Sequence, residues 1–163
     1  MFDRAALDLV QTPHAGWLDL IASLVTILGQ TEVIGTIALG VAIVWWRARR
    51  QRWWLPLLLA LVVGTEVVLK IVVPQTPPPE ELSRSVHFLP FLESPTSYSF
   101  PSGHVARVAF LVTALGWRWP IAAVTVLLMA ITRVYLGDHW PSDVIGGWLL
   151  GSVVAMLGKP RPT

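Results

Sequence analysis

No cysteine occurs among the 163 residues, which excludes disulfides, thiol nucleophiles and cysteine-held metal. Charge is also scarce. Asp, Glu, Lys and Arg make up 13% of the chain and hydrophobic residues 54%, whereas about a quarter of a soluble domain is charged. Little charge and long uncharged stretches point to an integral membrane protein. The length suits one domain over residues 1–163. Met1–Gln11 mixes Asp3, Arg4 and Asp8 with apolar residues. It has neither a basic start nor a small-residue cleavage site, so no cleaved leader is expected.

A spanning helix needs about 20 mostly apolar residues. Five stretches qualify in whole or part: Glu32 to Trp46, Trp53 to Val73, Pro101 to Trp117, Trp119 to Leu136 and Pro141 to Leu157. Thr31 is expected to cap the first. The third and fifth open on proline, which needs no donor at a first helical position. Residues 1–28 are shorter in apolar run, with Leu20, Leu24, Ile27 and Leu28 at helical spacing, and are expected to form an interfacial amphipathic helix. Residues 74–100, holding Pro74, Pro77, Pro78 and Pro79, are expected to form an external loop. The fold class is thus an all-α membrane bundle.

Charge placement orients it. Arg47, Arg49, Arg50, Arg52, Arg118, Lys159 and Arg161 fall on one face by span parity, and the positive-inside rule makes that face cytoplasmic. Trp45, Trp46, Trp53 and Trp54 flank the arginine cluster, marking a membrane–water boundary and not a nucleic-acid surface. The opposite, extracytoplasmic face collects Pro101–His104 and Asp138–Asp143.

Both segments are suited to anion chemistry. Pro101-Ser102-Gly103-His104 opens a helix whose first amides and dipole favour an anion. Gly103 permits close approach, Ser102 adds a hydroxyl, and His104 has the chemistry to protonate a leaving oxygen. His139 and Asp143 stand four apart, a spacing at which the carboxylate can accept one imidazole N–H and leave the other nitrogen as nucleophile. Arg133 suits bidentate contact with phosphate oxygens, and Lys70 ends the second span on the same face. The competing readings are a metal shared by His139 and Asp143, a capped helix start at Ser102, and long cations that merely reach the interface. Zinc sites want three or four protein ligands, and serine, glycine and arginine beside the histidines favour an anion. No metal and no cofactor is expected.

Together these residues resemble the type 2 phosphatidic acid phosphatase superfamily, which also contains vanadium haloperoxidases. Its pattern is Lys-x6-Arg-Pro, Pro-Ser-Gly-His and Ser-Arg-x5-His-x3-Asp. The second part stands at Pro101–His104. The third stands at Arg133, His139 and Asp143, with Thr132 in the serine position. In the first part Lys70 is present, but Pro77 occupies the arginine position. The resemblance implies that His139 attacks phosphorus, Asp143 orients it, and His104 protonates the leaving oxygen and then activates water. Lys70, Ser102, Gly103 and Arg133 would hold the phosphoryl oxygens. The implied function is hydrolysis of a membrane lipid phosphate or diphosphate of the polyprenyl diphosphate, phosphatidylglycerophosphate or phosphatidate class. The alternatives are a lipid phosphotransferase and a non-catalytic carrier or binder of anionic lipid.

Two further expectations come from the residues. Glu66 lies one turn deeper than Lys70, and Arg107 nearly one turn deeper than His104, so the two charges should pair beneath the site, with Glu66–Lys70 along the helix as the lesser alternative. Arg84, the only basic residue of the 74–100 loop, is expected to face the phosphate in place of the absent arginine, with His87 or Gln75 as substitutes.

Overall fold

The computed structural model describes residues 2–86 and 98–158, and these are all helix and connection. His87, Lys159 and Arg161 lie outside the described residues. Among the described residues seven α-helices follow one another: α1 Phe2–Val10, α2 Gly16–Ile27, α3 Thr31–Arg47, α4 Leu59–Val72, α5 Gly103–Ala114, α6 Trp119–Tyr135 and α7 Pro141–Leu157. A 3-10 turn over Leu55–Leu58 leads into α4.

α5 is the central helix. It is apolar nearly all round, as a helix must be when neighbours cover every side, and Val105, Ala106, Ala109 and Phe110 are wholly buried. α7 lies closest to it. Gly147 and Gly151 let the two backbones meet: a Cβ on Gly147 would run into the Ser102 carbonyl, and one on Gly151 into the Ala106 carbonyl. α4, α6 and α3 also pack on α5.

The outward faces are apolar. Ile121, Val124, Leu127, Leu128 and Ile131 of α6 and Ile145, Leu149 and Val153 of α7 are exposed. The stretch Leu55–Val72 is long and apolar enough to cross a membrane, with mean hydropathy 2.2 over 18 residues. At ~1.5 Å per residue it reaches about 27 Å, close to a hydrocarbon core. α2 and α3, bent by 43° at their junction, qualify only as a broken pair. α5, α6 and α7 are apolar but shorter.

Several boundaries differ from expectation. Residues 1–28 form two helices rather than one, separated near Pro13, and α2 packs against α6. Only tertiary contact distinguishes such a helix from one lying on a lipid surface. Gln30, not Thr31, precedes the first turn of α3. Ser102 occupies the cap of α5, so Pro101 stands outside the helix, whereas Pro141 does open α7. At the opposite end Arg52 donates to the Gly158 carbonyl at 2.7 Å, so the arginine-rich loop and the end of α7 share one face.

Candidate active site

The end of α6 and the start of α7 make one half of the site. α6 closes through Gly137, whose φ of +74° suits a residue without Cβ. The Gly137 N–H donates to Val134 O at 3.0 Å and the Asp138 N–H to Arg133 O at 3.2 Å, a Schellman arrangement. The His139 N–H reaches the same Arg133 carbonyl at 3.3 Å. This turn folds Asp138 and His139 back over the end of the helix that carries Arg133.

Asp143 then does two jobs from the first turn of α7. Its Oδ2 accepts the Trp140 backbone N–H at 2.8 Å, capping the helix. The same oxygen faces His139 Nδ1 at 3.4 Å. With Nδ1–H donated to the carboxylate, Nε2 keeps its lone pair for phosphorus. Both side chains are buried. Burial is the main influence on His139 and pulls its imidazole below the usual value, while the hydrogen bond to Asp143 opposes that pull.

The start of α5 makes the other half. The Ser102 N–H donates to the Asp143 carbonyl at 2.9 Å, tying the two helix starts together. Arg133 Nη1 donates to Thr26 Oγ1 at 2.8 Å and pairs with Asp138 Oδ2 at 2.9 Å. Arg133 Nε and Ser102 Oγ are buried with no hydrogen-bond partner among the described residues. Two enclosed donors left without acceptors are costly in a closed fold and useful where an anion docks. Lys70 of α4 is brought to the start of α5 through Glu66, whose carboxylate lies 3.8 Å from the Lys70 ammonium and against Gly103. The structure therefore brings together Lys70, Ser102, Gly103, His104, Arg133, His139 and Asp143.

The buried pair beneath the site is present as expected: Arg107 Nη1 lies 2.7 Å from Glu66 Oε2. Lys70 Nζ stands 3.8 Å from Glu66 Oε1 and donates to the Tyr98 carbonyl at 3.1 Å. The Glu66 carboxylate lies against Gly103, where any Cβ would collide with it. Gly103 thus admits an anion, and in this structure that anion is a side chain of the protein.

Arg84 takes other partners. Its Nη1 donates to the Pro13 carbonyl at 3.3 Å, and the guanidinium lies 5.2 Å over the Tyr135 ring. The segment from Pro74 stays at α7. Gln75 Nε2 donates to Ser142 Oγ at 3.1 Å, and Trp140 Nε1 to the Thr76 carbonyl at 2.8 Å. Thr132, in the serine position, turns its hydroxyl back to the Met129 carbonyl at 2.8 Å. Among the described residues no three His, Asp or Glu gather as a metal set.

The N-terminal segment contributes parts that no motif announced. Thr26 holds Arg133. The Gly29 carbonyl accepts from Arg107 Nε at 3.0 Å, and a Cβ on Gly29 would meet the His104 ring. Asp3 accepts from the Ser142 N–H and Oγ at 2.9 and 2.8 Å. A glycine between two apolar helices was the one local sign, and it does not tell which helix it will meet.

Comparison with known proteins follows the same lines. The PAP2 superfamily model matches residues 51–160. A phosphatidylglycerophosphatase B of Bacillus subtilis is 32% identical over 162 residues, covering 88% of this chain and 74% of that protein. An undecaprenyl-diphosphatase of Sulfolobus acidocaldarius is 46% identical over 68 residues, 39% of this chain. The match spans only 33% of that relative's length. The crystal structure of a transmembrane PAP2 type phosphatidylglycerolphosphate phosphatase from Bacillus subtilis superposes with a TM-score of 0.77 at 28% identity, covering 96% of this chain and 82% of that one.

Proposed function

The chain belongs to the PAP2 superfamily, and from that premise we propose that it is a metal-independent membrane phosphatase that hydrolyses a lipid phosphate or diphosphate. The observation that carries this reading is the pair of buried groups, Ser102 Oγ and Arg133 Nε, without a hydrogen-bond partner among the described residues and in the same cluster as the His139–Asp143 pair. In the first step His139 Nε2 attacks phosphorus and the bond to the leaving oxygen breaks. His104 gives that oxygen its proton. In the second step His104 takes a proton from water, the water oxygen attacks phosphorus, and the N–P bond breaks to release phosphate and regenerate neutral His139. Lys70, Ser102, the Gly103 amide and Arg133 hold the phosphoryl oxygens, and phosphoryl transfer depends mainly on such positioning and charge stabilisation.

A lipid substrate is supported by the apolar outer faces, which a hydrocarbon surrounding would cover. The five apolar stretches support a multi-pass chain in the cell membrane. The site lies at the end opposite Arg52, which supports an extracytoplasmic site under the positive-inside rule. The named relatives act on phosphatidylglycerophosphate and undecaprenyl diphosphate, and we place the substrate of this chain in that same class.

Phosphate release from a panel of lipid phosphates and diphosphates by the purified chain in detergent tests the reading. Retention of the lipid without turnover would favour the binding protein, and phosphate appearing on an added alcohol would favour the phosphotransferase. Orthovanadate is expected to inhibit and EDTA to leave the rate unchanged; loss of activity on chelation would overturn metal independence.

The pH profile gives a second check. A nucleophilic His139 must be neutral, and burial lowers its pKa from about 6.5. The acid limb of kcat/KM, which reports the free enzyme, is therefore expected below pH 6.5 and not above it.

A further inference from the structure

The position of Glu66 raises a question of charge. A carboxylate between two of the cations at a phosphate site repels the group that the site exists to hold. Its oxygens divide unequally, at 2.7 Å from Arg107 and 3.8 Å from Lys70. Arg107 is itself held on a second side, by the Gly29 carbonyl at 3.0 Å. His104 and Arg107 stand three apart on α5, hence on one face of that helix. The carboxylate lies against Gly103, nearer the Arg107 guanidinium than the Lys70 ammonium.

We propose that Glu66 and Arg107 are positioning residues that set how tightly the site holds phosphate, Glu66 as the resident counter-ion with which phosphate competes and Arg107 as the group that draws it off Lys70. This rests on the phosphatase reading of the site. A purely structural pair would stabilise the bundle and leave anion affinity unmoved. The proposed role makes affinity depend on the charge of Glu66 and on which cation it neutralises. A clamp that must release phosphate after each turnover gains from such a competitor, because binding product as tightly as transition state slows the cycle.

The test is direct binding of orthovanadate and inorganic phosphate to the purified full chain by calorimetry, which needs no turnover. Glu66→Gln keeps the shape and an oxygen for Arg107 but removes the charge. It is expected to tighten both anions about tenfold, equivalent to about 1.4 kcal/mol. Arg107→Met leaves Glu66 to Lys70 and is expected to weaken both about tenfold. The double variant Glu66→Gln/Arg107→Met should bind as tightly as Glu66→Gln alone, because Arg107 acts through the charge of Glu66. Arg107→Met leaves a buried charge unpaired and stands to unfold; Arg107→Lys, which keeps the charge and loses the two-sided hold, should then show the weaker binding instead. Unchanged or weaker anion binding by folded Glu66→Gln would overturn the proposal while leaving the phosphatase reading intact. A native chain that binds neither anion would overturn both.

Discussion

His139→Ala is expected to reduce phosphate release about 10⁴-fold or more, the scale for removing a nucleophile, with little change in Tm. The fold should survive because the interactions that shape this turn are not made by the imidazole. The Gly137, Asp138 and His139 N–H groups bond to carbonyls of α6, and Asp143 keeps the Trp140 N–H. Removing the ring takes one partner from a carboxylate that retains another, so the structural cost is small beside the chemical one. Labelled phosphate trapped on the protein during turnover, labile to acid, should be present in the native chain and absent from the variant. Label on the Ala variant, or turnover within about tenfold of native, would remove His139 from the nucleophile's role.

Gly151→Ala is expected to be as damaging by a different route. The added Cβ would strike the Ala106 carbonyl and press on the Phe110 amide, both backbone groups of the central helix that cannot turn aside. Relief requires α7 to move off α5, at a cost of about 3 kcal/mol for overpacking. The same movement strains the Ser102 N–H···O Asp143 bond at 2.9 Å. It separates the helix that carries His104 from the one led by His139 and Asp143. A fall in Tm and in kcat together is therefore expected, with KM less affected. Gly40→Ala is the control. Nothing lies within 4 Å of its Cβ, and alanine in an exposed helix should be neutral or gain up to about 1 kcal/mol. Equal Tm values for the two variants would show that the α5–α7 contact is looser than its geometry implies.

The candidate catalytic groups were legible in the chain because their chemistry is carried by residues close in sequence. His139 and Asp143 are one helical turn apart, Ser102 to His104 open a helix, and Arg133 sits where a glycine ends one. Local rules of capping and periodicity place such groups whatever surrounds them. The same locality explains why the Glu66–Arg107 pair was reachable: two helices of known direction put both charges at one depth, and apolar surroundings left them each other.

The arrangement of the N-terminal segment was not reachable in this way. Thr26 on Arg133, Gly29 under His104 and Asp3 on Ser142 are contacts between residues more than 70 positions apart in sequence. An amphipathic stretch carries no mark of whether protein or lipid covers its apolar side. Arg84 shows the same limit from the other direction. It is a basic residue in the right loop, yet the fold gives it the Pro13 carbonyl and the Tyr135 ring.

The sequence by itself determined the helical class, the scarcity of charge that makes each buried ion informative, and the positions His139, Asp143 and His104 that are proposed here as nucleophile, carboxylate and acid. These follow from short-range periodicity and from the free energy of placing charge among apolar side chains. Only the tertiary structure decided how far apart those groups stand, which donors are left without acceptors, and that the anion lying against Gly103 is Glu66. Those depend on how closely α5 and α7 approach, a distance set by Gly147 and Gly151 against a backbone that no local pattern describes.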